Sequence, residues 1–283
     1  MMSQKLFLTF DQLTQDLFVV ALAGFEAIRS VQDVGFDVRT KDDGSLVTEA
    51  DLRSHEAAVR QAGETFPGLA VHSEEQCLDQ WRSLEEVLII DPLDGTTNFS
   101  RGLPFWSIST ALIQGGKINA GVVIGADGRA FVGRRDSGSA MTQIGDCVPS
   151  EGKALHCARR PLGDSILSFG ADQGRLDSRS LWWDWLASLR PPVCRRVRVT
   201  ESAALELCWV ASGLLDAYLH PTDHEWDIAA GALIAQEAGV RTLTPDLEHW
   251  GLLGPPGIIA VTPAAIDGLV SCLGSSSKKF DSQ

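Results

Sequence analysis

The sequence predicts a protein of mixed α and β structure built in layers, and three observations carry that expectation. Val87-Leu88-Ile89-Ile90 is an unbroken apolar run, the pattern of a strand covered on both faces. Residues 107–113 and 117–124 flank Gly115-Gly116 and read as a hairpin. After about residue 150, short apolar strands alternate with helical stretches.

The elements follow in order. Residues 11–31 place Leu13, Leu17, Val20, Ala21, Phe25 and Ile28 at three- and four-residue steps, predicting an amphipathic helix. Residues 35–44 are rich in turn formers. Residues 50–66 predict a second helix, ended by Pro67-Gly68. Leu69-Ala70-Val71 is strand-like, and the strand at 87–90 is expected to stop at Asp91. Residues 130–133 add a strand beyond the hairpin. Further strands are predicted at 166–169, 197–199, 216–219, 241–243 and 258–261, and helices at 203–211, 228–238 and 264–273. The Ser- and Lys-rich tail, 274–283, is expected to fray. The change of texture divides the chain into an N-terminal α+β domain, 1–150, and a C-terminal α/β domain, 151–283.

Composition excludes some partners. The chain has 283 residues, 44% hydrophobic and 22% charged, enough to bury a core. Its net charge of −13 argues against a nucleic acid or an anionic membrane as partner. A small anionic substrate stays compatible, because a bound cation inverts the local field. None of the six cysteines sits in a C-x-x-C spacing, and no apolar run of membrane length follows the N-terminal residues. Reduced thiols and a cytoplasmic location are expected.

Four segments could carry chemistry. The first runs Asp91-Pro92-Leu93-Asp94-Gly95-Thr96-Thr97-Asn98-Phe99. A buried strand delivers Asp91, Asp94 follows three residues on, and Thr96 opens a helix. Two carboxylates this close repel each other unless a cation lies between them. Hard cations such as Mg2+ take such oxygens, and the Leu93 carbonyl offers another. An ordinary Asp-Gly turn with Asp94 as a cap is the alternative. The second segment is Glu74-Glu75, which alone would read as solvated surface. The third runs from Lys41 to Asp51, with Thr48 as a helix N-cap and Asp51 in the first turn. The fourth is Glu225-Trp226-Asp227 followed by an Ala/Gly-rich helix, where Asp227 is either a cap or a rigidly held ligand.

Together these motifs resemble the inositol monophosphatase family, a branch of the lithium-sensitive, metal-dependent phosphatase superfamily. The resemblance runs from about Lys41 to Gly239. It implies an α+β fold, an alternating α-β-α-β-α sandwich of the sugar-phosphatase type. It also implies Mg2+-dependent hydrolysis of small phosphate monoesters, with inositol 1-phosphate the first substrate to try. By resemblance, Glu74, Asp91 and the Leu93 carbonyl hold one Mg2+, and Asp91, Asp94 and Asp227 a second. Asp51 and Glu75 orient water or a third ion. Gly95 and Thr96 offer backbone N–H groups to the phosphate, and the Thr96 hydroxyl positions the attacking water. Glu74, Thr96 and Asp51 are thus the expected catalytic groups.

Two positions depart from the family pattern. Glu201-Ser202-Ala203-Ala204 stands where many members have Gly-Ser-Ala-Ala. His220 stands seven residues before Asp227, where inositol-specific members carry glutamate. Both touch the alcohol half of the substrate, and Glu201 and His220 join the phosphate-binding Gly95 and Thr96 as the expected substrate-binding residues. The Asn-Gly pair common after the family's Gly-x-Gly-Ala segment is also absent after Gly138-Ser139-Ala140. Superfamily relatives acting on 3'(2'),5'-bisphosphate nucleotides, histidinol phosphate or fructose 1,6-bisphosphate give alternative substrates. A metal-binding scaffold without catalysis is the alternative of another class. The family is often dimeric, so a homodimer is expected.

Overall fold

Each expected helix and strand has a counterpart in the computed structural model, which describes residues 6–32, 36–41, 44–145, 147–170 and 176–277. Parts of the predicted turn (35 and 42–43) and of the tail (278–283) lie outside the described residues. The chain opens with β1 (Phe7–Thr9), α1 (Gln12–Gln32), β2 (Val38–Thr40), β3 (Leu46–Thr48), α2 (Glu49–Thr65) and β4 (Ala70–Ser73). Next come β5 (Glu86–Asp94), α3 (Thr96–Ser100), β6 (Ser107–Gln114), β7 (Lys117–Gly125), β8 (Arg129–Arg134), β9 (Gly138–Gln143) and β10 (Glu151–Ala154). The remainder is β11 (Ile166–Phe169), α4 (Leu176–Leu189), β12 (Arg196–Arg198), α5 (Ala203–Ala211), β13 (Ala217–His220), α6 (Glu225–Glu237), β14 (Arg241–Leu243), β15 (Ile258–Val261) and α7 (Ile266–Ser277).

The strands form an eight-stranded sheet in the order β1-β10-β9-β8-β7-β6-β5-β4, a five-stranded sheet in the order β12-β11-β13-β15-β14, and the small pair β2-β3. Helices α1 and α2 cover one face of the large sheet. Helices α5 and α6 lie between the two sheets, and α4 pairs with α7 on the far side of the small one. The result is the five-layer α-β-α-β-α sandwich. The run 87–90 is apolar throughout because both its faces are covered. Leu88 and Ile90 pack toward α1 and α2, whereas Val87 and Ile89 pack toward α5 and α6.

Strand β5 does not stop at Asp91, as the sequence suggested, but runs on to Asp94. Pro92 has no N–H to donate, so the ladder skips. Asp91 pairs with Ser109, Asp94 re-pairs with Ser107, and the register shifts between them. Helix α4 was not anticipated. Leu181, Trp182, Trp185 and Leu186 line its contact with the small sheet.

Helix α6 is seated unusually deep. A Cβ added at Gly121 of β7 would lie 2.9 Å from the Ala230 Cα, and one at Gly231 would lie 2.8 Å from the Leu207 Cβ of α5. An alanine at either place would force the elements apart, at a cost of about 1–3 kcal/mol. This close seating fixes the first turn of α6, which carries Asp227.

Candidate active site

The predicted acids converge at one end of the large sheet, each held by a local structural device. Asp91 is buried where the β5 ladder skips, three residues before the strand ends, and accepts a hydrogen bond from the Leu93 N–H at 3.0 Å. The Pro92 carbonyl accepts from Ser54 Oγ at 2.7 Å, which ties the strand exit to α2. Gly95 turns the chain with φ +90°, and any Cβ there would lie 2.6 Å from the Phe105 carbonyl. Asp94 does not cap the short helix that follows it. It receives Ser202 Oγ at 2.7 Å, the Ala204 N–H at 2.9 Å and the Ala203 N–H at 3.2 Å, so it caps α5 from 108 residues away.

Asp51 is fully buried and accepts from the Thr48 N–H at 2.7 Å, closing the capping box of α2. The Thr96 hydroxyl lies 2.8 Å from Asp51 Oδ1 and 3.1 Å from the Leu93 carbonyl. Asp227 accepts from the His224 N–H at 3.1 Å in the first turn of α6. Glu74 follows β4, and Lys41 Nζ sits 2.7 Å from both Glu74 and Glu75.

The electrostatics identify a cluster. Burial pushes Glu74 up to about 7 against the pull of Lys41, and Asp94 up to about 6 against its hydrogen bonds. Asp91 is raised well above the carboxylate range by burial, then by the charges of Glu74, Asp94 and Asp227. Asp227 is raised by burial, then by Asp94, Glu74 and Asp223. Four carboxylates thus feel one another's charge in a low-dielectric place. Among the described residues, no three His, Cys, Asp or Glu side chains ligate one point as they stand, so joint coordination requires the carboxylates to turn. The donor chemistry suits a hard cation: the set is all oxygen, and Glu74 already holds one cationic group, the Lys41 ammonium.

Beside the acids lies the rim. Glu201 is exposed with φ +56°, a conformation that favours glycine, and its carbonyl accepts from Asn98 Nδ2 at 3.3 Å. His220 is buried, and its Nδ1 lies 2.6 Å from Asp223 Oδ1. Glu225 is turned away toward His72 and Arg82. Burial opposes its charge most strongly, but the hydrogen bond from His72, a backbone hydrogen bond and the nearby charge of Arg82 together outweigh it and hold the carboxyl at about 2.

Sequence reasoning passed over several of these groups. Lys41 stands 33 residues before Glu74, and no local spacing marks it as the partner of that acid. Glu206, a lone acid on the apolar face of α5, accepts from Thr200 Oγ1 at 2.7 Å and from Ser168 Oγ, and burial pushes it up to about 7. An ionisable residue inside the apolar stretch 203–211 was the available signal.

The model of the inositol monophosphatase family matches residues 11–276. The chain belongs to the inositol monophosphatase family. An inositol-1-monophosphatase of Mesorhizobium japonicum is 32% identical over 79% of this chain and 83% of its own length. The Nus factor SuhB of Pasteurella multocida is 32% identical over 70% of this chain and 72% of its own. Among solved structures, the extragenic suppressor protein SuhB of Bartonella henselae superposes with a TM-score of 0.82 at 25% identity. That match covers 93% of this chain and 98% of the other. Family and fold agree with the resemblance drawn from the motifs.

Proposed function

We propose that this member of the inositol monophosphatase family hydrolyses small phosphate monoesters with Mg2+, inositol 1-phosphate being the leading substrate. The observation that carries the reading is the cluster of buried Asp91 and Asp94 with half-buried Glu74 and Asp227 beside the Gly95-Thr96 turn. Two or three ions would be held there by these carboxylates and the Leu93 carbonyl, with Asp51 and Glu75 beside them. When bound, Mg2+ offsets the charge of the phosphate and lowers the pKa of water.

The chain's own groups do the rest. The Gly95 and Thr96 N–H groups would bind the phosphate oxygens. Thr96 Oγ1, oriented by Asp51, would position the attacking water, with Glu74 as its acidic neighbour. Glu201 and His220 would meet the alcohol half, where the Asp223-paired imidazole replaces an open carboxylate. Discrimination among polyol phosphates should therefore be modest.

No described helix is long and apolar enough to cross a membrane, and none of the cysteines is joined in a disulfide among the described residues. A cytoplasmic location is proposed on the thiol state of the cysteines, and a homodimer on the family pattern alone. The test is phosphate release from inositol 1-phosphate, glycerol 2-phosphate, fructose 1,6-bisphosphate, histidinol phosphate and 3',5'-bisphosphoadenosine, with and without Li+. Monoesters hydrolysed ahead of the bisphosphates, with inhibition by Li+, support the reading. Release from none of them contradicts it.

A further inference from the structure

The two halves of the acidic cluster reach the site on elements far apart in the sequence, and one polar contact joins those elements directly. Glu74 follows β4, a four-residue strand at the edge of the large sheet that has β5 as its single neighbour. Asp227 stands in the first turn of α6. The His72 side chain, 3% exposed, projects from β4, and its Nε2 lies 2.8 Å from Glu225 Oε1 across 153 residues of sequence.

The ring is fixed from every side. The Leu78 N–H donates to Nδ1 at 3.0 Å, which leaves the ring proton on Nε2, directed at Glu225. Trp81 stacks on the imidazole at 5.3 Å and 18°, and Trp226 lies at 5.4 Å on the α6 side. His224 continues the stack on Trp226 at 4.5 Å and 4°. Arg82 lies over Trp81 at 5.2 Å and places a guanidinium nitrogen 3.6 Å from the second Glu225 oxygen. The loop that carries Glu74 and Glu75 therefore closes back onto His72 through Leu78 and Trp81, and reaches Glu225 at the start of α6 through Arg82.

A buried polar pair contributes less to stability than a well-packed apolar pair of the same size, so strength alone does not account for it. Direction does. An apolar contact tolerates sliding, whereas a hydrogen bond at 2.8 Å fixes both distance and orientation. Metal ligation tolerates errors of only a few tenths of an ångström. We infer that His72 and Glu225 are positioning residues that set the separation of Glu74 from Asp227 and thereby the affinity of the site for Mg2+. The inference rests on the reading of those two acids as metal ligands.

The test is calorimetric titration of Mg2+ into the full-length, chelator-stripped protein. His72→Phe keeps the aromatic stack and removes the hydrogen bond. Glu225→Ala removes it from the other side. Glu225→Gln keeps an oxygen for Nε2–H while removing the charge. Loss of the tie should weaken Mg2+ binding about tenfold or more, the size typical when a ligand's supporting partner is lost. Turnover at saturating Mg2+ should fall less than the affinity does, and Glu225→Gln should recover most of the affinity. Thermal melts in chelator establish that each variant is folded; if Glu225→Ala is not, His72→Phe reads the same contact. Folded variants that bind Mg2+ like the wild type overturn the inference. So does a Glu225→Gln loss equal to that of Glu225→Ala, because charge would then matter and not the bond. Wild-type protein that binds no Mg2+ overturns both this inference and the metal reading, a result distinct from either.

Discussion

The acidic floor of the site and its rim are built on opposite plans. The floor aspartates also complete pieces of backbone: Asp51 and Asp227 close helix starts, Asp91 accepts from its own turn, and Asp94 caps α5, whereas Glu74 pairs with Lys41. The floor is fixed because the fold depends on it. The rim holds residues that the backbone tolerates at a cost, Glu201 at φ +56°, or that pair with one another, His220 with Asp223. The difference teaches where specificity can vary: phosphate chemistry is tied to folding, and recognition of the alcohol is not.

The comparison breaks first at the floor. Asp227→Asn retains an oxygen for the His224 N–H and removes the charge, so it separates the cap from the ligand. We expect a folded protein whose kcat is lower by about a hundredfold or more, since the lost group is a direct ligand. Unchanged turnover at saturating Mg2+ would make Asp227 a cap alone.

Glu206 sharpens the boundary between floor and rim. Its carboxyl rises from 4.5 to about 7 in the folded protein, mainly through burial. The folded state therefore holds more protons than the unfolded one between those values. The contribution is fully present below 4.5 and is lost as pH rises through about 7, a change on the order of a few kcal/mol. Glu206→Gln should flatten this fall in denaturant titrations of metal-free protein between pH 5 and pH 8. Equal slopes for the two proteins would show that Glu206 is not held neutral.

At the rim the effects are smaller. Wild-type kcat/KM should differ by no more than about tenfold between inositol 1-phosphate and glycerol 2-phosphate, and His220→Glu should raise the preference for the former. A thousandfold preference already present in the wild type would mean that His220 does not weaken recognition. Glu201→Gly should relieve the left-handed strain and raise the melting temperature by about 2 °C, corresponding to under about 1 kcal/mol. A lower melting temperature would mean that the Glu201 side chain makes a stabilising contact stronger than the strain.

What was legible in the sequence was local. The apolar run 87–90, the capped start of α2 and the nine residues from Asp91 to Phe99 each announce themselves within a few positions. The layers needed the family resemblance, because no spacing reports which helix covers which sheet. Contacts between distant residues stayed hidden: Ser202 on Asp94, Lys41 on Glu74, and Glu225 on His72. The exit of β5 was misread because a proline breaks the ladder without ending the strand. Helix α4 escaped notice because Trp182, Trp183 and Trp185 leave little contrast between its faces.

The central claim is that the clustered carboxylates work through a divalent cation, and withdrawal of the metal tests it most directly. Phosphate release from inositol 1-phosphate should vanish in excess chelator and return on readdition of Mg2+. In Asp91→Asn, which lacks the acid that Glu74, Asp94 and Asp227 all face, readdition should restore almost nothing. Full activity in excess chelator would contradict the account.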